Sequence, residues 1–282
     1  MSDKVCIFEM GPRDGLQNEK KLIKTADKIA LVDMLSDCGF EKIEVTSFVS
    51  PKWVPQMADA AEVMAGISRK AGVSYTVLTP NMRGYEGAVA AKADEVAVFG
   101  SASEGFSQSN INCSVAESIE RFKPVIAAAL NDNIPVRGYI SCVTDCPFDG
   151  RTPPEAVARI AETFFQLGCY EVSLGDTIGH GTPETICAML DAVLQFVPAE
   201  NLAGHYHDTL GNALANISAS LEKGLRTYDA AIGGLGGCPY APGAKGNVDT
   251  GAVVSMLDSL GFTTDIDSGK LKATAEFAVS LR

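Results

Sequence analysis

Apolar and polar positions fall along the chain in two recurring patterns. Short β-branched runs read as strands buried on both faces, and longer stretches with apolar residues every third or fourth position read as amphipathic helices. Strands are predicted at Val5–Met10, Lys42–Thr46, Ser74–Leu78, Glu95–Gly100, Val136–Cys142, Glu171–Gly175, Leu202–His207 and Tyr228–Ile232. Helices are predicted at Thr25–Cys38, Pro55–Arg69, Val115–Asn131, Pro153–Leu167, Pro183–Phe196, Ala213–Lys223 and Val248–Leu260. Thr152-Pro153 and Thr182-Pro183 read as helix starts, a capping hydroxyl before a proline whose missing N–H costs little there. Eight strands alternating with helices, with no linker or low-complexity block between them, predict an α/β fold, a single (β/α)8 TIM barrel spanning residues 1–282. In such a barrel the reacting groups belong at the carboxyl ends of the strands.

The polar exceptions fall at those ends. Arg13 and Asp14 follow the first strand, Glu44 and Ser47 close the second, Asp176 and Thr177 follow the sixth, and His205 and His207 end the seventh. After the eighth comes a glycine-rich loop, residues 233–247, that carries Cys238 and Asn247. His205 and His207 are two of only three histidines, and residues two apart on a strand face the same side, so both imidazoles can reach one ion. Solvated or hydrogen-bonded histidines remain the plainer reading of that pair by itself.

Composition narrows the class. A chain of 282 residues with 46% apolar content can bury a large core, and its net charge of −12 argues against nucleic acid or an anionic membrane surface as partner. An anionic small substrate is still allowed, because local cations can override the global field. Eight scattered cysteines in apolar segments predict reduced thiols, and Cys142-x-x-x-Cys146 has no second pair to complete a zinc site. No apolar run is long enough to span a membrane and no secretory leader is visible, so a cytoplasmic protein is expected.

Five segments converge on the predicted mouth: residues 9–20 (EMGPRDGLQNEK), 46–57 (TSFVSPKWVPQM), 173–179 (SLGDTIG), the His205-x-His207-Asp208-Thr209 run and the loop Gly236-Gly237-Cys238-Pro239-Tyr240-Ala241. Together they resemble the corresponding segments of 3-hydroxy-3-methylglutaryl-CoA lyases. Arg-Asp-Gly and His-x-His alone mark only a wider superfamily that includes isopropylmalate-type condensing enzymes; the cysteine loop narrows it to the lyases.

The resemblance implies cleavage of 3-hydroxy-3-methylglutaryl-CoA, or a close 3-hydroxyacyl-CoA relative, to acetyl-CoA and acetoacetate. It implies Asp14, His205, His207 and Asn247 as ligands of Mg²⁺ or Mn²⁺, a donor set that chemistry also allows. Arg13 would steady the thioester enolate, Cys238 would return its proton, and Asp14 or His205 would take the hydroxyl proton. Glu44 and Asp176 would form a second carboxylate layer that orients Arg13 and the imidazoles, and Lys20 and Ser47 would contact the thioester or CoA. The bland alternatives are a salt bridge for Arg13, a buried thiol for Cys238 and helix caps for the two carboxylates. Three positions depart from the expected pattern: His180, Asp145, and Gly251, where an acidic residue is expected four positions after Asn247. An acyl-CoA condensing synthase and a non-catalytic metal-binding barrel are the competing readings, and a homo-oligomer is left open.

Overall fold

The computed structural model describes residues 3–236 and 246–282. The strands are β1 (Cys6–Glu9), β2 (Lys42–Ser47), β3 (Ser74–Leu78), β4 (Glu95–Ser101), β5 (Val136–Ser141), a short antiparallel hairpin of β6 (Asp145–Cys146) and β7 (Gly150–Arg151), then β8 (Glu171–Asp176), β9 (Leu202–Tyr206) and β10 (Thr227–Ala230). All but the hairpin are parallel and close in the order β1-β10-β9-β8-β5-β4-β3-β2, with β2 returning to β1. This is the predicted (β/α)8 barrel.

Helices α1 (Thr25–Cys38), α2 (Ala60–Gly66), α3 (Met82–Ala90), α4 (Glu104–Ile111), α5 (Val115–Asn131), α6 (Pro154–Gln166), α7 (Pro183–Val193), α8 (Ala213–Glu222), α9 (Thr250–Ser259) and α10 (Ser268–Ser280) lie outside it. Alternate strand residues serve two cores. Ile7, Ile43, Val45, Tyr75, Val77, Val96, Val98, Val172 and Leu174 join the large apolar cluster shared with the helices. Phe8, Met10, Leu78, Ala97 and Tyr139 form a separate, smaller cluster, interleaved in sequence with the first, as a period of two demands. Buried beside that second set are Glu44, Arg137, Glu171, Ser173 and Asp229, so the inside of the barrel is part oil and part salt.

Three local expectations change. The predicted helix over Pro55–Arg69 breaks into a 3₁₀ turn, Pro55–Met57, and α2, because Lys28 Nζ takes the Gln56 carbonyl and the Asp59 carboxylate. Thr152 does not cap α6: the helix starts at Pro154 after Pro153, and the buried Thr152 hydroxyl finds no hydrogen-bond partner among the described residues. Thr182 does cap α7, accepting from Thr185 N at 3.4 Å. The third change is at α9, which begins at Thr250 with Asp249 accepting from Ala252 N at 2.9 Å. Helices α3, α4 and α10 and the hairpin go beyond the predicted elements.

Candidate active site

After Glu9 the chain makes one π-helical turn, Gly11–Gly15, closed by Gly15 N to Met10 O at 3.1 Å. Such single turns are costly and cluster at functional sites. Glycine is needed at both ends here: a Cβ on Gly11 would lie 2.7 Å from Glu9 Oε1, and one on Gly15 2.7 Å from Leu235 Cβ. Inside the turn Arg13 and Asp14 face each other, Nη1 to Oδ1 at 2.7 Å. Arg13 Nε donates to Glu44 Oε2 at 2.6 Å. The register of β2 on β3 slips between Glu44 and Thr46, a bulge of the kind that re-aims side chains beside active sites. Burial works against the Arg13 charge, but Glu44 and Asp14 more than restore it, so the guanidinium stays cationic. Its Nη2 makes no hydrogen bond among the described residues.

Across the mouth, His205 and His207 turn their Nε2 atoms toward one another at 3.3 Å. Asp14 Oδ2 lies 4.0 Å from His205 Nε2, and Gln17 and Asn247 hold the Asp14 carboxylate through bonds of 3.0 Å and 2.7 Å. Ligand atoms of Asp14, His205 and His207 all fall within 4.8 Å of one another. One carboxylate oxygen and two imidazole nitrogens so placed suit a divalent cation. The rest of the shell agrees. His205 Nδ1 meets Asp229 Oδ2 at 3.0 Å, the partner that fixes the proton on Nδ1 and leaves the Nε2 lone pair free for a ligand. Burial would lower His205, yet the Asp229 bond carries it above its ordinary pKa. Burial and the neighbouring His205 push His207 down to about 4, so that ring is neutral near pH 7. The Asp14 carboxyl, which burial alone would raise, is held at about 2 by Arg13 and both imidazoles.

Asn247 reaches this cluster through the backbone, as His207 and Asn247 form an isolated antiparallel bridge and Asp208 N donates to Gly246 O at 2.7 Å. Its amide nitrogen, rather than its oxygen, faces Asp14. A buried strut ties the two sides together: Glu9 accepts from Gly11 N and Ile232 N at 2.8 Å each and from Thr250 Oγ1 at 2.7 Å.

Residues 4–278 match the HMGL-like family model. The chain belongs to the HMGL-like family. A Pseudomonas aeruginosa protein named 3-hydroxy-3-isohexenylglutaryl-CoA/hydroxy-methylglutaryl-CoA lyase is 57% identical over 94% of this chain and 88% of its own length. The mitochondrial hydroxymethylglutaryl-CoA lyase of Gallus gallus is 56% identical over 97% of this chain and 92% of its own. The crystal structure of the HMG-CoA lyase from Brucella melitensis, at 65% identity, covers 100% of this chain and 99% of that one with a TM-score of 0.99.

Set against the residues expected from this HMGL-like family, Arg13, Asp14, Glu44, His205, His207 and Asn247 converge. Asp176 does not join them. Its carboxylate accepts from Thr144 Oγ1 at 2.9 Å, Gly181 N at 2.8 Å and His180 N at 3.3 Å, bracing the loop before α7. The second-layer role expected of it toward an imidazole belongs to Asp229, itself gripped by Arg137 at 2.7 Å and 3.0 Å and by Ser173 at 2.7 Å. Ser47 is buried and points its hydroxyl at Leu78 O, 3.4 Å away, while Lys20 is exposed on the loop after the π turn. Cys238 lies outside the described residues. His180 is exposed, and the Gly251 position falls in the first turn of α9, where Asp249 makes the cap. Sequence reasoning missed Asp229, Arg137 and Tyr139, whose hydroxyl bridges Arg137 Nη1 at 3.0 Å and Glu44 Oε1 at 3.1 Å. The available signal was an ionisable residue in the middle of an otherwise apolar strand.

Proposed function

We propose that the barrel mouth cleaves 3-hydroxy-3-methylglutaryl-CoA by a retro-aldol (Claisen-type) reaction, giving acetyl-CoA and acetoacetate. The observation that carries this reading is the placement of a buried, doubly anchored Arg13 against the Asp14, His205 and His207 cluster, in a chain whose near relatives are named for that activity. The hydroxyl at C3 loses its proton to Asp14 or His205, the new C=O forms, and the C2–C3 bonding pair moves onto the thioester as an enolate. Acetoacetate departs. A thiol, assigned to Cys238, then protonates the enolate carbon to give acetyl-CoA and is reprotonated from solvent.

Arg13 serves the second event. Glu44 and Asp14 fix Nε and Nη1, which leaves the Nη2 end to donate to the enolate oxygen without reorganisation. The donors Asp14, His205, His207 and Asn247 suit Mg²⁺ or Mn²⁺, which would supply Lewis acidity at the hydroxyl oxygen. Asp229 holds His205 with its Nε2 lone pair open, to bind the cation or, where Asp14 binds it, to take the hydroxyl proton.

The test uses purified protein, a panel of 3-hydroxyacyl-CoA thioesters including the 3-methyl and 3-isohexenyl glutaryl compounds, and detection of acetyl-CoA. Turnover should disappear with a chelator and return with Mg²⁺ or Mn²⁺. Full turnover of chelator-treated, metal-free protein would sink the metal assignment, and condensation running without cleavage would favour a synthase.

A further inference from the structure

An arginine and a carboxylate commonly meet side by side. The edge of the guanidinium that carries Nε and Nη2 presents two parallel N–H donors to the two oxygens of one carboxyl group, which is why such pairs are so often bidentate. Glu44 does not take Arg13 in that way. Its Oε2 accepts from Nε at 2.6 Å, but its Oε1, the oxygen that would complete the fork on Nη2, accepts from the Tyr139 hydroxyl at 3.1 Å. Nη2 is left open although its customary partner sits on the same carboxylate.

The direction of each bond in this relay is fixed. Arg137 Nη1 lies 3.0 Å from the same hydroxyl and can only donate, so the Tyr139 oxygen accepts there and has one proton to give. That proton goes to Glu44, since the other acceptor, the thioether of Met10, is weak and 3.9 Å away. Burial holds the phenol's pKa well above its ordinary value, so the donor keeps its proton. Tyr139 lies on β5 and Glu44 on β2, with β4 and β3 between them around the barrel, so the side chains meet across the interior. The ring centroid is 5.8 Å from Arg13 Cζ and 5.0 Å from Arg137 Cζ. Glu44 is fully buried, and among the described residues its Oε1 has no second partner.

We propose that Tyr139 is a positioning residue for the cleavage: its hydroxyl holds Glu44 to a single bond on Arg13 and so keeps Nη2 free for the enolate oxygen. The proposal rests on the lyase reading above and deepens it, by giving the reason that a buried Glu–Arg pair stays half open. Without the hydroxyl a buried carboxylate oxygen would stand unpaired, which is costly, and a turn of the carboxyl group onto Nη2 removes that cost. Nη2 would then be engaged before substrate arrives.

Tyr139→Phe deletes the hydroxyl and little else. In the crystal structure of that variant, Glu44 Oε1 should lie within hydrogen-bond reach of Arg13 Nη2. Its kcat for 3-hydroxy-3-methylglutaryl-CoA should fall roughly 10- to 100-fold, up to the lower end of what losing such a donor costs. KM should hold, because the donor acts on charge that develops in the transition state. Glu44→Ala supplies the control, since without a carboxylate nothing can close on Nη2: in that background Tyr139→Phe should change kcat by less than about twofold. Calorimetric titration of Tyr139→Phe with Mn²⁺ should give the parent's affinity, because Arg137 still grips Asp229 and Asp229 still holds His205. A weakened metal affinity would route Tyr139 through that second path and overturn the proposal. So would a carboxylate that stays in place beside a water filling the hydroxyl's position, equal losses of kcat in both backgrounds, or a lowered urea midpoint with kcat intact. A turned Glu44 in the variant of a parent that cleaves no thioester keeps the hold of Tyr139 on Glu44 and removes the lyase reading instead.

Discussion

Two arginines are buried in this barrel, and they do opposite jobs. Arg137, on β5, has all three nitrogens and four of its five N–H donors engaged by the protein: Nε to Glu171 at 2.7 Å, Nη1 to Tyr139 and Asp229 at 3.0 Å each, Nη2 to Asp229 at 2.7 Å, with its carbon 4.2 Å from the centre of the Phe8 ring. Arg13 is fixed by two bonds only and ends at the mouth. A buried guanidinium with every nitrogen held internally is a strut; one with a whole nitrogen left over at the mouth is a reagent. The two are linked, since Tyr139 and Glu44 bridge them and Asp229 carries the strut's grip on to His205.

The sharpest break comes at Arg13. Arg13→Lys removes the fork while keeping the charge, and kcat should fall by roughly two to four orders of magnitude, the equivalent of about 3 to 5 kcal/mol of transition-state stabilisation. Unfolding by urea should change little. If only KM moved, Arg13 would be a substrate anchor and the comparison would lose its reagent.

Arg137→Met should show the reverse balance. Asp229 and Glu171 would be left buried without their cation, which costs about 3 to 5 kcal/mol of stability, measurable as a lowered urea midpoint. A variant as stable as the parent would mean that Arg137 is no strut.

Glu9 belongs with Arg137, because all its acceptors are used. Burial pushes its carboxyl up to about 7, against the bonds from Thr250, Ile232 and Gly11. A raised acid binds more protons folded than unfolded between its ordinary value and about 7, so stability falls as pH rises through that window. The loss is complete above it and amounts to about 3 kcal/mol at most. Glu9→Gln keeps both N–H bonds through its oxygen and lets Thr250 Oγ1 accept from its amide. The variant should therefore flatten the profile, with a Tm equal to or above the parent's at pH 8. A Tm for the parent that rises from pH 5 to 8 while the variant's does the same would remove Glu9 from the account.

The smallest effect is expected at Asp176. Asp176→Asn should cost about 1 kcal/mol through weakened bonds to the loop before α7 and should leave metal affinity by calorimetry unchanged. A tenfold loss of affinity would put Asp176 back among the residues that orient the cluster.

Much of this is legible in the sequence. Parallel strands enclosed by helices are apolar along their length, so all eight stood out between polar punctuation, and Arg13, Asp14, His205 and His207 were conspicuous as polar residues at strand ends. What pairs with what was not readable. Arg137 and Asp229 lie 92 positions apart, and only closure of the barrel brings them into contact. Asp176 shows the converse: its place at a strand end was clear, but whether its carboxylate turns to the cluster or to the amides of Gly181 and His180 depends on the path of one loop. The break before α2 likewise depends on Lys28 arriving from another helix to take the Gln56 carbonyl.

The strut at Glu9 carries a consequence for how the protein is made. Its partner Ile232 lies 223 residues downstream, and the strand beside β1 on that side is β10. A growing chain therefore holds Arg13, Asp14 and both histidines for some time before the segment that unites them exists. Until Thr227–Ala230 is synthesised and docks, two strand edges stand open and the polar groups of the mouth have no common centre. Competence then arrives in a single late step, so a chain stalled or clipped before that seam should be inert rather than half-active, and its open edges give quality control a surface to grasp.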